Sequence, residues 1–413
     1  MRLAVCASAL GLLISASAYA QTPPAAPPPA APPPAMEAVP PPPPPPPPPV
    51  VEVAAPPPAA PAAAPAPAAP AGPSPKFVFG GLVDTYYLYN FTKPDGANSL
   101  YPPSGRAFDT NANSATLALA KLSMNASLDP VSMQLDIGYG SVGSIINNSY
   151  PGGTLPSAPV GQAFLIEQAY GEIALPGNLT LDFGKFVTTA GAEVIEANKN
   201  WLYSRSFLFN AIPLLHTGVR ANLKINDNLT LQASLVNGWN NDPDNNAWKT
   251  GGVSATITVN PMVSIIATTY FGKEGTQAAA ASTPGDMRFL GDLVVALTLN
   301  DKFGLNLNAD YIKAFDDNAK DYQIGAAIMG RYVVADHFYL AARGEFLSTH
   351  VDAVSHTTTV EEGTVMGGIP VGKNFELRPE VRADFSGDKV FAVTPTDGKK
   401  SQVTAELAAL TFF

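Results

Sequence analysis

The last thirteen residues, Ser401 to Phe413, alternate between two faces and end on a phenylalanine. Val403, Ala405, Leu407, Ala409, Thr411 and Phe413 fall on one side, and Gln402, Thr404, Glu406 and Ala408 on the other. A dyad of about ten residues with one apolar face has the length and period needed to cross a bilayer as a single tilted β-strand. The same pattern in a soluble barrel is the competing reading of this segment taken by itself. The alternation therefore predicts a membrane-spanning strand whose terminal aromatic sits at the interface.

The other end of the chain sets the compartment. Arg2 precedes an apolar run from Leu3 to Ile14, and small residues follow up to Ala18-Tyr19-Ala20. That order reads as a secretory signal peptide over 1–20, cleaved before Gln21. The only cysteine, Cys6, lies inside the apolar run behind Val5, which does not suit a lipoprotein signal. The mature chain is thus expected to have no disulfide framework, no thiol chemistry and no cysteine-ligated metal.

After the signal peptide no stretch reaches the eighteen or so apolar residues that a transmembrane helix requires. Yet 46% of residues are hydrophobic and only 14% charged, and the apolar ones are dispersed in alternation. Dispersal of this kind suits a closed barrel, in which all backbone groups pair between strands while lipid covers the outside. The net charge of -10 argues against a nucleic-acid partner, which needs a basic footprint.

From Gln21 to Pro75 the composition turns to proline and alanine, with an unbroken run from Pro40 to Pro49. Proline lacks an amide donor and fixes φ, so this arm builds no packed core. It is read as a disordered linker, partly extended as polyproline II at ~3.1 Å per residue, lying in the periplasm. Its roles are a plain spacer or a contact for the cell wall or another envelope protein.

From Lys76 onward, two kinds of connection alternate. Short ones at Asp129-Pro130, Pro176-Gly177-Asn178, Asn226-Asp227-Asn228, Asn260-Pro261, Asn300-Asp301, Ala335-Asp336 and Gly372-Lys373-Asn374 carry tight-turn residues. Longer, polar or irregular ones fall between them, near 91–111, 145–161, 188–213, 240–249, 274–285, 316–319, 350–356 and 387–399. Short periplasmic turns against long outer loops are the signature of an outer-membrane barrel. The fold class is all-β: a transmembrane antiparallel β-barrel of about 16 strands over 76–413, in the outer membrane of a Gram-negative-type bacterium, with both ends in the periplasm.

Parity along the strands separates lipid from lumen. In 374–386 the outward set is Phe375, Leu377, Pro379, Val381, Ala383 and Phe385, and the inward set is Glu376, Arg378, Glu380, Arg382, Asp384 and Ser386. Pro379 inside a paired strand predicts a bulge there. The inward acids are Asp84, Asp136, Glu172, Asp182, Asp292, Asp310, Glu345, Glu362, Glu376, Glu380, Asp384 and Glu406; the inward bases are Lys121, Arg220, Lys224, Arg288, Arg331, Arg343, Arg378 and Arg382. Charges at these positions imply a water-filled lumen, with Arg220, Arg378, Glu380, Arg382 and Asp384 as pore-lining candidates. The modest acid excess predicts weak cation preference.

The third long connection, containing Gly191-Ala192-Glu193-Val194-Ile195-Glu196-Ala197-Asn198-Lys199-Asn200-Trp201-Leu202-Tyr203-Ser204-Arg205-Ser206, is too long and too apolar for a simple surface loop. With Gly184-Lys185-Phe186 before it and His216-Thr217-Gly218-Val219-Arg220 after it, it resembles the OmpL-like putative β-barrel porin family. Asp84-Thr85-Tyr86-Tyr87, Val236-Asn237-Gly238-Trp239, Asn245-Asn246 and Lys249-Thr250 carry the same resemblance, which covers most of 76–413. It implies an outer-membrane diffusion channel for ions and small hydrophilic solutes, with no catalytic site and no cofactor. By similarity to porins the third loop folds into the barrel and narrows it, making Glu193, Glu196, Lys199 and Arg205 constriction candidates. The alternative is a loop packed on the wall for rigidity, anchored by Trp201, Tyr203, Phe207 and Phe209.

Enzymatic and metal readings have little to stand on. The four histidines, His216, His337, His350 and His356, form no nucleophile–base–acid series in sequence, and the last two with Asp352 have only loose metal-ligand spacing. Asp242, Asp244, Asn245 and Asn246 are oxygen-rich but lack the closing glutamate of a calcium loop. The reading from another class is an envelope structural protein, the barrel an anchor and the arm a tether. A homotrimer, as many sixteen-stranded porins form, is compatible with either. Because a disordered linker contributes no core contacts, deleting Pro40 to Pro75 while keeping the signal peptide should leave a folded, heat-modifiable barrel on gel electrophoresis. Loss of that band would refute the spacer reading.

Overall fold

The computed structural model describes residues 74–93, 106–148, 163–244, 246–274, 286–315, 321–394 and 397–413. Residues 1–20, read from the sequence as a signal peptide, and nearly all of the Pro/Ala-rich segment lie outside the described residues, as do 94–105, 149–162, 275–285 and 316–320 of the long connections.

The first nine strands are β1 (Lys76–Asn90), β2 (Ser114–Leu128), β3 (Val131–Gly140), β4 (Ala163–Leu175), β5 (Leu179–Val187), β6 (Leu215–Asn226), β7 (Leu229–Val236), β8 (Thr250–Asn260) and β9 (Val263–Glu274). They are followed by β10 (Asp286–Thr298), β11 (Phe303–Phe315), β12 (Tyr322–Ala335), β13 (Phe338–Val351), β14 (His356–Val371), β15 (Phe375–Ser386), β16 (Phe391–Thr394), β17 (Asp397–Lys399) and β18 (Ser401–Phe412). Strands β1 to β15 and β18 form one closed antiparallel barrel in which each pairs with its sequence neighbours, while β16 and β17 make a separate hairpin in the last long connection. No helix among the described residues is long and apolar enough to cross a membrane.

Turn chemistry explains the tight end of the barrel. Asn226 and Asn260, which end their strands, and Asn300, two residues past the end of β10, accept through Oδ1 the backbone N–H two residues on, at 2.8, 2.8 and 2.9 Å. Side chains that mimic a backbone turn in this way make short reversals cheap. In the β4–β5 turn Gly177 and Asn178 take φ of 85° and 58°, a region that glycine and asparagine tolerate best. The first and last barrel strands also begin and end at this edge. Closure is tied there by reciprocal bonds, Gly81 N–H to the Phe413 carbonyl and Phe413 N–H to the Gly81 carbonyl, both 3.1 Å.

The two faces follow parity on most strands. On β15 and β18 the buried positions are Glu376, Arg378, Glu380, Arg382, Asp384, Gln402, Thr404, Glu406, Ala408 and Leu410. Their neighbours Val381, Phe385, Leu407 and Phe413 are exposed apolar side chains, as a lipid-facing surface requires. Pro379 corrects its expectation: the β14–β15 and β15–β18 registers are the same on either side of it, so it sits on the outer face of a regular strand. A bulge occurs elsewhere. Between β3 and β4, Asp136 pairs with Gln168 and Ile137 with Ile166, which leaves Glu167 as the extra residue.

Phe413 carries the closing hydrogen bonds, and its ring covers Gly81, where an added Cβ would meet the ring at 2.4 Å. Deleting Phe413 should therefore lower the yield of assembled barrel on heat-modifiability gels while leaving the conductance of surviving channels near wild type. Full assembly with altered conductance would contradict this role.

Candidate functional site

The third long connection, 188–214 and termed L3 here, lies inside the barrel. Its turn inward is built locally. Gly191 has φ of 88° and a Cβ at that position would meet Ile212 at 2.6 Å, so only glycine fits where the loop leaves the wall. Asn200 then closes a compact coil, accepting from Val194 N–H at 2.9 Å and donating to the Val194 carbonyl at 2.7 Å. Arg205 braces the two limbs by donating to the carbonyls of Val194, Ile195 and Tyr203. Ser206 caps a short helix, Phe207–Ala211, by accepting from Phe209 N–H at 2.9 Å.

Charged residues of the inner wall receive the loop. Arg343 of β13 donates to Glu193 Oε1 at 2.8 Å, to the Ser204 carbonyl at 2.7 Å and to Glu362 of β14 at 2.6 Å. Glu380 of β15 accepts the N–H groups of Tyr203 and Ser204, and Glu345 of β13 those of Phe207 and Leu208. Arg378 donates to the carbonyls of Ala197 and Asn200, and Arg382 to that of Arg205. Flanking these strands, Asn308 of β11 accepts from Ala192 N–H at 3.1 Å, and Asp84 of β1 accepts from the Tyr203 hydroxyl at 2.9 Å. Lys121 of β2 donates to Glu196 at 2.7 Å.

Apolar packing fills the space between these bonds. Ile195, Leu202, Tyr203, Phe207, Leu208 and Phe209 join one buried cluster with Leu82, Tyr86, Leu347, Met366 and Leu410 of the wall. Two other outer connections contribute. Phe391 of β16 is completely buried in the same cluster, and Phe108 stacks edge-on against Phe209 at 5.6 Å. Beside Phe108, Arg106 pairs with Asp109 and with Asp384 of β15 at 2.9 Å. Burial alone would weaken the Arg106 charge, and the two carboxylates outweigh it, holding its proton more firmly than usual.

The sector beside β4 to β7 is different. Arg220 of β6 donates to Asp182 at 2.7 Å and lies over the Phe186 ring at 4.2 Å, with the side chain still partly exposed. Asn222 donates to Thr180 and accepts from Gln232, and these remain half-buried, a polar surface that water reaches.

The candidates read from the sequence are thus sorted by burial. Glu193, Glu196 and Arg205 lie on L3 and are buried; Lys199 alone of the four exposes its charge, with 62% of its side chain accessible while pairing with Glu196 at 2.7 Å. For Glu196, burial opposes ionisation, but the Lys121 and Lys199 ammonium groups prevail and hold its carboxyl below the usual range. Arg378, Glu380, Arg382 and Asp384 face inward and are covered by loops, whereas Arg220 keeps contact with the lumen. Every inward acid read by parity is buried except Glu172; of the inward bases, Arg220, Lys224, Arg288 and Arg331 are not buried. Trp201, Tyr203, Phe207 and Phe209 do pack on the wall, within the lumen. The loop is thus both inserted within the ring of strands and packed against their inner face.

Two groups escape sequence reading. Glu167 is missed because the bulge turns it to the same side as Gln168, and Arg106 is missed because nothing in its loop marks it as a wall contact. His216 is buried, with Nδ1 3.0 Å from the Gly238 carbonyl oxygen, and its ring stacks on Tyr270 at 4.6 Å. His356 meets Asp388 at 2.8 Å on the outer rim, and among the described residues no hydroxyl is hydrogen-bonded to that histidine. Asp242 pairs with Lys185 and Asp244 with Lys249, which commits both to lysines; Asn245 lies outside the described residues.

A sequence family described as "Putative beta-barrel porin-2, OmpL-like" matches residues 76–413. No curated protein matches the chain. Among solved structures, the trimer form of OmpT, an outer membrane protein of Vibrio cholerae, is 11% identical, with a TM-score of 0.55 over 83% of this chain and 100% of that one. The outer membrane channel DcaP of Acinetobacter baumannii is 14% identical, with a TM-score of 0.54 over 82% and 97%. An anion-selective porin from Comamonas acidovorans is 10% identical, with a TM-score of 0.55 over 82% and 100%. At these identities the likeness is one of fold.

Truncating a buried charge leaves its partner unpaired in a low-dielectric site, at a cost of about 3–5 kcal/mol. Arg343→Met removes the ion-pair partner of Glu193 and leaves Glu362 only Arg382 at 3.6 Å, and should lower the denaturant midpoint of the folded barrel accordingly. A wild-type midpoint would show that the network does not hold the loop.

Proposed function

The chain belongs to the OmpL-like putative β-barrel porin-2 family, and from that premise we propose that it is a diffusion channel passing ions and small hydrophilic solutes across the outer membrane. The observation that carries this reading is the closed barrel whose inner face is polar and whose third outer loop is folded into the lumen. Solutes pass on the side of β4 to β7, where Arg220, Asn222 and Gln232 stay in contact with water. Lys199 is the charged group that L3 offers to that passage, and Glu193, Glu196 and Arg205 act by fixing the loop. The passage operates by positioning and exclusion, with no catalytic step.

Ion choice follows from which charges meet water. The acid excess read along the strands is withdrawn beneath the loops, and the strand charges left accessible are mostly basic. Selectivity is therefore weak and does not favour cations, because charges in contact with the passage set the local field that selects ions. A homotrimer fits this barrel type, and the Pro/Ala-rich arm is a periplasmic spacer or cell-wall contact.

The second reading, a barrel that anchors and an arm that tethers, draws on the aromatic packing of L3, Phe108 and Phe391, which closes part of the lumen. Planar-bilayer recording of purified protein separates the two. Stepwise, non-saturating currents are expected, with a reversal potential in a salt gradient at zero or displaced to the anion side. Folded protein without current supports the anchor; displacement to the cation side returns the deciding role to the buried acids.

A further inference from the structure

Lys121 stands on β2, and its ammonium is shared by carboxylates from three separate segments. Asp136 Oδ2 of β3 lies at 3.0 Å, Glu167 Oε1 of β4 at 2.7 Å and Glu196 Oε1 of L3 at 2.7 Å. All four residues are buried, and one ligand oxygen from each acid lies within 4.8 Å of the others. Three negative groups keep such spacing out of water only around a cation. An ammonium has three donors, so one can go to each acid.

The cage has two fixed walls and one movable one. Asp136 is braced on the barrel by Ser123, Gln134 and Gln168, which all donate to it. Glu167 reaches the site because it is the extra residue of the β3–β4 bulge, which adds an inward-facing acid beside Gln168. Glu196 alone belongs to L3. Its other cation, Lys199, is on L3 as well and cannot tie the loop to the wall. At this end of the loop, only Lys121 spans the gap between Glu196 and the strands among the ion pairs of the described residues.

We infer that Lys121 is the positioning residue that pins the Glu196 side of L3 to β2, β3 and β4, acting as the resident cation of a three-carboxylate cage, and that a divalent cation takes over this role when the ammonium is removed. The electrical readout rests on the channel reading above; the binding readout does not. Without a cation the three carboxylates repel one another, and relief comes by moving the one that is not on a strand. Glu196 and Lys199 then swing away from β2 to β4 while Arg343 and Arg378 still hold Glu193, Ala197 and Asn200 to β13 and β15, and the passage beside Lys199 changes width. Ca²⁺ binds oxygen at about 2.3–2.6 Å, a few tenths of an ångström inside the present N–O distances, so a small contraction of the cage accommodates it, with water completing its shell.

The test uses the full-length protein carrying Lys121→Ala or Lys121→Met, with Ca²⁺ or EDTA as the only variable. In EDTA, Lys121→Ala should show altered and noisier single-channel conductance, and Ca²⁺ should return it to the wild-type level. Lys121→Met fills the volume a cation would need, so it should show the altered conductance with no response to Ca²⁺. Calorimetry should give Lys121→Ala an affinity for Ca²⁺ at least about tenfold above wild type, equivalent to ~1.4 kcal/mol, and adding Glu167→Gln with Glu196→Gln should abolish that gain. If Lys121→Ala assembles only with Ca²⁺ present, the cage is supported through folding yield. Wild-type conductance for Lys121→Ala in EDTA, no gain in Ca²⁺ affinity, or failure of both variants to assemble with or without Ca²⁺ overturns the inference. If wild-type protein carries no current but Lys121→Ala gains Ca²⁺ affinity, the channel reading fails and the cage stands.

Discussion

A charged side chain taken out of water needs a partner of opposite charge or a set of hydrogen bonds. The inner wall at β1, β13 to β15 and β18 places carboxylates and guanidinium groups side by side, most of them shielded from solvent. Wall residues cannot satisfy one another completely: Glu380 faces Glu406 directly across β15 and β18, and Glu345 faces Glu362 across β13 and β14. The backbone of L3 supplies donors and acceptors to much of this wall, though not to Glu406, whose carboxylate has no hydrogen-bond partner among the described residues. Glu380 and Glu345 take N–H groups, while Arg378, Arg382 and Arg343 give bonds to carbonyls. Satisfying the wall and positioning the loop are one arrangement.

The apolar residues of L3 make that arrangement dry. Leu202, Leu208 and Phe209 pack against Leu347, Met366 and Leu410, which lowers the local dielectric and strengthens each charge-assisted bond around them. Packing is concentrated on one side of the lumen, and β4 to β7 retain a half-buried polar surface. The passage proposed above would lie off the barrel axis on that side, its width set by how firmly L3 is held and its charge by the few groups the loop leaves uncovered. Lys199 and Arg220 belong to that small set.

Strand count, neighbour order, turn positions and the inward set of β15 are legible in the sequence, since a period of two against lipid leaves little freedom. Pro379 misleads because a proline on the outer face of a strand can be carried without shifting register. Glu167 is hidden for the opposite reason: one extra residue breaks parity, and no residue type announces it. The burial of Glu193 and Glu196 is likewise invisible, because their partners Arg343 and Lys121 lie 150 and 75 residues away in the chain. Sequence patterns record which face a strand residue takes. They do not record what a loop later lays over that face, so the inward acids can be counted from the sequence while their burial cannot.

L3 is part of the packed interior of the barrel. Amide hydrogen exchange of the folded protein measures this directly, because Tyr203, Ser204, Phe207 and Leu208 each donate a backbone N–H to a buried wall carboxylate. Their exchange should be slowed to the range of the amides in β13 and β15, against which they pack. Exchange of these four amides at the rate of an exposed outer loop, with the strands still protected, would show that L3 is not held in the interior.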